Sequence, residues 1–235
     1  MIVVSIETST PQTSVAIASQ DGLIARISVA GKARQEAVTP ALEQLLMWSG
    51  VTLGQVGGIA VGTGPGLFTG LRVGVQTAKT LAQVLAVPIL GLSSLDTLAF
   101  GVRYTQKGIV AVIDGRRGEV FWSVYRPVPG GVLRVSEPVV SRPDHLIAEL
   151  ATAPKEVLAV GNGAILYRDA LQEIGPHVEF ASATVAHPDA AALAELALPR
   201  FVRQEHDRLT DIVPTYLRKS DAEIAWDQRA RGASS

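Results

Sequence analysis

The sequence predicts an α/β protein of two similar halves, each built in the order βββαβαβα. Two observations carry the prediction. Short apolar runs with the two-residue alternation of strands are interleaved with stretches of helical period, and after residue 103 the same order of elements starts again. The composition also suits it. With 235 residues, 47% hydrophobic and only 18% charged, the chain can build a core of real size and is not a disordered or strongly charged tail protein.

In the first half, residues 2–7 form a short apolar run and 13–20 alternate through Val15 and Ile17. An Asp21-Gly22 turn leads to a further alternating run at 23–29, so three strands joined by tight turns are expected. A helix over 34–48 closes at Gly50, a suitable left-handed C-terminal position. A buried strand at 58–62, a glycine-rich loop, a helix at 69–86 and a strand at 88–92 follow. A helix capped by Ser93 or Ser94 and running to Phe100 completes the half. The second half repeats the order with strands at 109–114, 119–126 and 132–135, a helix at 143–150, a strand at 157–161, a helix at 164–174, a strand at 178–180 and a helix at 188–204. The expected organisation is an N-terminal lobe at 1–103, a C-terminal lobe at 104–204, a tail at 205–225 packing back on the first lobe, and a disordered end at 226–235.

Near-neutral charge, 21 Lys+Arg against 22 Asp+Glu, argues against a protein that grips nucleic acid by itself. Arg116, Arg117, Arg126, Arg200 and Arg203 could still gather into a local basic patch. With no cysteine, disulfides, iron–sulfur clusters, thiolate zinc sites and cysteine nucleophiles are excluded. The first residues lack a basic stretch and carry Glu7, unlike a signal peptide, and no apolar run is long enough to span a membrane. The expected location is the cytoplasm, with no membrane partner. His145, His177, His187 and His206 are never three or four apart, so no two share a helix face as a chelate. No metal site and no catalytic set is predicted.

Two stacked βββαβαβα units are the architecture of the actin / sugar kinase / Hsp70 ATPase superfamily, two lobes around a cleft. The first strand of each half ends at that cleft, which sets Glu7 and Asp114 at matching positions. Such carboxylates can orient a magnesium-bound phosphate, or they can accept hydrogen bonds from their own turns. Residues 62–74, Gly-Thr-Gly-Pro-Gly-Leu-Phe-Thr-Gly-Leu-Arg-Val-Gly, read as a strand-to-helix loop in which Thr69 can cap the helix and whose amides could hold an anion. The loop matches neither the Walker pattern nor the dinucleotide fingerprint. Glu7, Thr8, Ser9, Gly64, Gly66, Thr69 and Asp114 are therefore the candidate nucleotide- or phosphate-binding residues.

That loop, together with Glu7-Thr8-Ser9, Gly91-Leu92-Ser93-Ser94-Leu95, the stretch from Ile113 to Val120 and the Pro214-Thr215-Tyr216-Leu217-Arg218 tail, resembles the TsaB (YeaZ) family. The likeness is specific from Met1 to about Arg126 and weaker to Arg218. It implies the two-lobed fold and a role in placing threonylcarbamoyl on the adenosine beside the tRNA anticodon. It further implies a non-catalytic subunit supporting the paralogue TsaD, which carries the metal and the transfer chemistry. Also implied are TsaE in a ternary complex, a homodimer in isolation, tRNA met only through the complex, and no cofactor of the chain's own, with ADP or ATP possible at a complex interface. The sequence departs from the family at Arg34-Gln35-Glu36, where only the glutamate of a His-Ser-Glu motif is kept, and at Leu67, where a small polar residue is common. A superfamily enzyme, either a small-molecule kinase or a metal-dependent peptidase, and a nucleotide-sensing module are the alternatives.

Small residues recur at every fourth position in both helices of the first half: Ala33, Ala37 and Ala41, then Gly70, Gly74, Ala78 and Ala82. Each series lines one helix face and lets another backbone approach closely. One reading sets both series against the chain's own sheet. The other makes them a partner interface, with Val38, Leu42, Leu45 and Leu46, and Val73, Leu81 and Val84, covering the core.

Overall fold

The alternating runs of each half close into a sheet of the same topology. In the computed structural model, which describes residues 1–31, 34–152 and 156–218, β1 (Ile2–Glu7) pairs antiparallel with β2 (Gln12–Ser19), and β2 with β3 (Gly22–Ala30). After α1 (Val38–Ser49) comes β4 (Val56–Gly64), parallel to β1. It is followed by α2 (Phe68–Leu85), β5 (Ile89–Ser93) and α3 (Ser94–Phe100), and the sheet order is β3-β2-β1-β4-β5. The second half supplies β6 (Gly108–Arg116), β7 (Glu119–Val128), β8 (Gly131–Arg134), β9 (Val139–Ser141), α4 (Pro143–Ala151) and β10 (Val157–Val160). Then come α5 (Asn162–Leu166), α6 (Arg168–Gln172), β11 (Val178–Phe180) and α7 (Ala190–Val202). Its order, β8-β7-β6-β10-β11, is that of the first sheet, with β9 added on β7. This is the two-lobed actin / sugar kinase / Hsp70 ATPase-like fold that the repeated order predicts.

Two local differences have physical causes. The three residues of β9 are too few for alternation to register. The helix expected over 164–174 is broken at Tyr167, whose φ of −108° and ψ of 23° leave helical space.

Packing crosses the sequence boundary at 103/104. One core gathers α1 through Val38, Ala41, Leu42 and Leu45 and α2 through Val75, Ala78 and Ala82 on the same face of the first sheet. The opposite face of that sheet is covered by α7, whose Leu193, Ala194, Ala197 and Phe201 lie on Val3, Ala60 and Leu90. In turn α3 sends Leu95, Leu98 and Ala99 onto Ile109, Ile113 and Tyr125 of the second sheet. Each half thus lends its last helix to the other, so 1–103 and 104–204 are not separate packing units. A helix's apolar stripe says which side is buried, not against which sheet. The α3 graft is fixed by Asp96, which accepts hydrogen bonds from Tyr125 Oη at 2.7 Å and from Arg134 Nη2 at 2.6 Å.

Residues 205–216 run back over the first lobe, and Leu217 and Arg218 cross to the second sheet. Asp207 N–H donates to Ile89 O at 2.9 Å, Gly91 N–H donates to Asp207 Oδ2 at 2.8 Å, Ile212 enters the α1/α2 core, and Thr215 N–H donates to Thr63 O at 2.7 Å. The expectations for Ala33, for 219–225 and for a disordered end at 226–235 lie outside the described residues.

Candidate functional site

The end of β1, the loop after β4 and the start of α2 meet in one seam. Thr8 and Ser9 leave β1 in a buried turn, and the loop from Gly64 to Leu67 lies on them. Leu67 N–H donates to Ser9 O at 2.7 Å and Thr8 Oγ1 donates to Gly70 O at 2.7 Å. The contact requires glycines at a spacing of four. A Cβ at Gly66 would overlap the Ser9 carbonyl oxygen, and one at Gly70 the Thr8 carbonyl oxygen. Gly62 leaves room for the Glu7 carboxylate and Gly74 for the Thr8 hydroxyl. The glycines that could have cradled a phosphate instead seat the Glu7-Thr8-Ser9 turn. Thr69 is exposed inside α2 and does not cap it; the helix begins after Leu67, and the Leu67–Ser9 bond anchors its entry.

Glu7 is fully buried. Its carboxylate accepts from Ser9 N–H at 2.7 Å and from Ser94 Oγ at 2.9 Å. Burial pushes its carboxyl above the ordinary value, against the Ser9 and Ser94 hydrogen bonds, which favour the charged form. Asp114, 7% exposed, accepts from Arg116 N–H at 2.9 Å and pairs with the Arg116 guanidinium at 3.3 Å, while its own N–H donates to Asn162 Oδ1 at 3.1 Å. Both carboxylates are engaged by their own turns. Held by these partners, the two carboxylates do not fit a magnesium–nucleotide site.

The series Gly70, Gly74, Ala78, Ala82 also faces inward. Ala78 is 0% exposed, and all four lie on the chain's own sheet and turn. Ala41 joins the same core and Ala37 is half-buried. For Gly70, Gly74, Ala78, Ala82 and Ala41 the interface reading is therefore corrected: close approach is used within the chain. Val73 and Leu81 pack partly on that core, but Val84 is 76% exposed, as are Trp48 at 69% and Met47 at 66%. The arginine patch is likewise divided. Arg116 and Arg117 share the β6–β7 turn, whereas Arg200 and Arg203 bind Glu205 beyond the far end of α7.

Three histidines have separate partners: His187 Nδ1 lies 3.0 Å from Thr10 Oγ1, His177 Nε2 lies 3.3 Å from Leu150 O, and His145 packs by Trp122. Among the described residues no group of three His, Asp or Glu side chains could hold a metal, and no helix is long and apolar enough to cross a membrane. A groove of about 870 Å³ runs along α7, bordered by the Arg26–Asp189 and Arg103–Glu195 ion pairs, and none of the candidate nucleotide-binding or interface residues lines it.

With this geometry in place, the likeness to known proteins is specific. A family model described as TsaD, tRNA N6-adenosine threonylcarbamoyltransferase, matches residues 14–226. The Bacillus subtilis (strain 168) tRNA threonylcarbamoyladenosine biosynthesis protein TsaB is 32% identical over 232 residues, 96% of this chain and 98% of that protein. This chain belongs to the TsaB family. A solved member, YeaZ from Pseudomonas aeruginosa, superposes with a TM-score of 0.78 at 26% identity, covering 92% of this chain and 99% of that one. Component A of the Acidaminococcus fermentans (R)-2-hydroxyglutaryl-CoA dehydratase shares the fold alone, with a TM-score of 0.51 at 12% identity over 86% of this chain and 99% of that one.

For this TsaB-family chain, several structural partners escape sequence reasoning: Ser94 under Glu7, Asn162 under Asp114, and the Asp96–Arg134 pair. One signal was present. Glycines at 62, 66, 70 and 74 keep a spacing of four from strand into helix, which marks a continuous close contact rather than a loop alone.

Proposed function

We propose that this chain is a non-catalytic accessory subunit in tRNA threonylcarbamoyladenosine formation, binding a TsaD-type transferase through the outer face of α1 and α2. The observation that carries the reading is the apolar surface of Met47, Trp48 and Val84 on helices whose inner faces are already full. Aromatic and methionine side chains at such density mark interface cores. In isolation the same face pairs two copies of the chain. TsaE joins the assembly as a third component, tRNA is met through the complex, and any ADP or ATP sits at an interface with the partner, since the chain's own cleft residues are occupied by its turns. The compartment is the cytoplasm.

Two glutamates separate this face from the core. Trp48→Glu leaves a folded monomer that no longer assembles with the transferase in size-exclusion chromatography. Ala78→Glu gives an unfolded or insoluble chain, because a buried unpaired charge costs several kcal/mol, of order 3–5. A Trp48→Glu protein that still assembles normally overturns the proposed face. Robust tRNA modification by the isolated wild-type chain, supplied with threonylcarbamoyl-adenylate, overturns the accessory role.

A further inference from the structure

Because α3 and α7 are exchanged, the chain passes repeatedly between two packing bodies. One is the first sheet with α1, α2 and α7; the other is the second sheet with α3 and α4 to α6. Among the described residues it crosses three times: between β5 and α3, at 186–189 ahead of α7, and between Tyr216 and Leu217.

The first two crossings lie together. Val3 packs under α7 and Ser5 Oγ donates to Ala190 O at 2.6 Å, so by strand alternation Glu7 also faces the α7 side of β1. Ser94, at the first crossing, donates to that carboxylate at 2.9 Å. His187, at the second, lies 3.0 Å from Thr10 Oγ1. Both crossings are thus tied to the short stretch from Glu7 to Thr10. Two neighbouring connections between packed bodies make a hinge, since rotation about the line through them stretches neither.

The third crossing leaves from the opposite face of the first sheet. Ile212 sits in the core that α1 and α2 share with that sheet, and Lys79 Nζ of α2 donates to Ile212 O at 3.1 Å. Thr215 N–H donates to Thr63 O at 2.7 Å, and Tyr216 packs on Phe68 with ring centroids 5.0 Å apart and accepts from Arg72 Nε at 3.2 Å. Leu217 then joins the core that α3 shares with the second sheet, and Arg218 Nη1 donates to Gly115 O at 3.0 Å and to Glu119 Oε2 at 2.8 Å. The first sheet stands between this strap and the hinge, so the strap opposes with a lever arm the rotation that the hinge alone allows. Its anchoring is uneven: residues 212–216 hold the first body, and only Leu217 and Arg218 hold the second.

We propose that residues 212–218 are a latch that sets the angle between the two bodies and releases from its second-body end. Latched, it keeps the outer face of α1 and α2 in one orientation relative to the second sheet; released, that orientation varies.

The chain has no cysteine, so two introduced ones carry spin labels at chosen positions. Gln20→Cys, at an exposed position of the β2–β3 turn, and Ala148→Cys, at one on α4, mark the two bodies. Labelled chain diluted in unlabelled chain reports distances within one molecule by double electron–electron resonance. The latched protein gives one narrow distance distribution. Leu217→Ala with Arg218→Ala broadens it about twofold while thermal unfolding stays cooperative, since hinge rearrangements move bodies by more than about 2 Å. An unchanged distribution overturns the latch. Lys107→Ala breaks pairs with Glu156 and Glu179 inside the second body and leaves the distribution as in wild type; equal broadening there would show general loosening and overturn the proposal. If the double variant does not fold, Arg218→Ala alone decides: broadening supports the latch and wild-type width overturns it. Hydrogen exchange at Thr215 N–H stays slow in the released variant. Fast exchange there would mean that the strap lifts as a whole, and would overturn release from the second-body end.

Discussion

The two halves solve the same packing problem with different means. In each, the segment leaving the strand parallel to the central one presses on the central strand's end: Gly66 and Gly70 on Ser9 and Thr8 in the first half, Gly161 and Gly163 on Val112 and Asp114 in the second. The first half then prolongs the contact into an 18-residue helix that stays on the turn as far as Gly74. The second stops after the five residues of α5 and adds a side-chain bond, Asn162 Oδ1 to Asp114 N–H. The carboxylates follow suit. Glu7 is sealed beneath the longer seam, while Asp114, under the shorter one, still reaches an exposed guanidinium. The first turn is thus closed by backbone alone, the second by backbone and a side chain.

The sharpest way to break this comparison is Gly70→Ala. Helix propensity alone favours alanine by up to about 1 kcal/mol. The seam reverses the sign, because the added methyl meets a backbone carbonyl that cannot swing aside, and overpacking costs about 1–3 kcal/mol. Urea unfolding should place the variant below wild type. A stabilised variant would mean that the seam yields, and that the first half is no stiffer than the second.

On the other side of the comparison, Asn162→Ala removes one hydrogen bond from a half-buried position and leaves Asp114 N–H to find water. The expected loss is about 1 kcal/mol, smaller than for Gly70→Ala because nothing is forced apart. A larger loss, read in the same unfolding experiment, would show that the second half depends on this bond as the first does on its glycines.

How far these features could be read from sequence follows the same division. The duplicated strand order was legible because alternation and turn residues are local. The turn chemistry at Asp21-Gly22 and the cap at Gly50, with φ of 68°, were legible for the same reason. The glycine stretch stood out as a string, yet its role depends on Thr8 and Ser9, some sixty residues earlier, which periodicity cannot join to it. Spacing of four identified a face of α2 suited to close approach and could not say what approached. Likewise, the helix expected over 188–204 was legible without revealing that the first sheet, not the second, receives it. Trp48 and Val84 lie in helices whose apolar content exceeds what one face can bury, and only the packed structure shows which residues are left over.

The smallest expected effect concerns Glu7, and its sign distinguishes a sealed carboxylate from an open one. Burial raises the folded-state carboxyl above its ordinary value of 4.5, so the folded protein holds the proton more tightly than the unfolded chain. The neutral form is therefore the better tenant. Stability from this group is fully present below the ordinary value and is lost as pH rises through the folded value, after which it stays constant. Its hydrogen-bonding neighbours, Ser9, Ser94 and Thr8, do not titrate and contribute no counter-slope. Glu7→Gln keeps an acceptor for Ser9 N–H and a donor for the Ser94 hydroxyl while removing the charge. The stability of Glu7→Gln relative to wild type should then increase between pH 4.5 and the folded-state value and level off above it. Denaturation midpoints collected across that range check the slope. A difference that shrinks with rising pH would mean that the carboxylate is stabilised when charged, as at an open cation-facing site, and the first half would then have to be regarded as an accessible cleft after all.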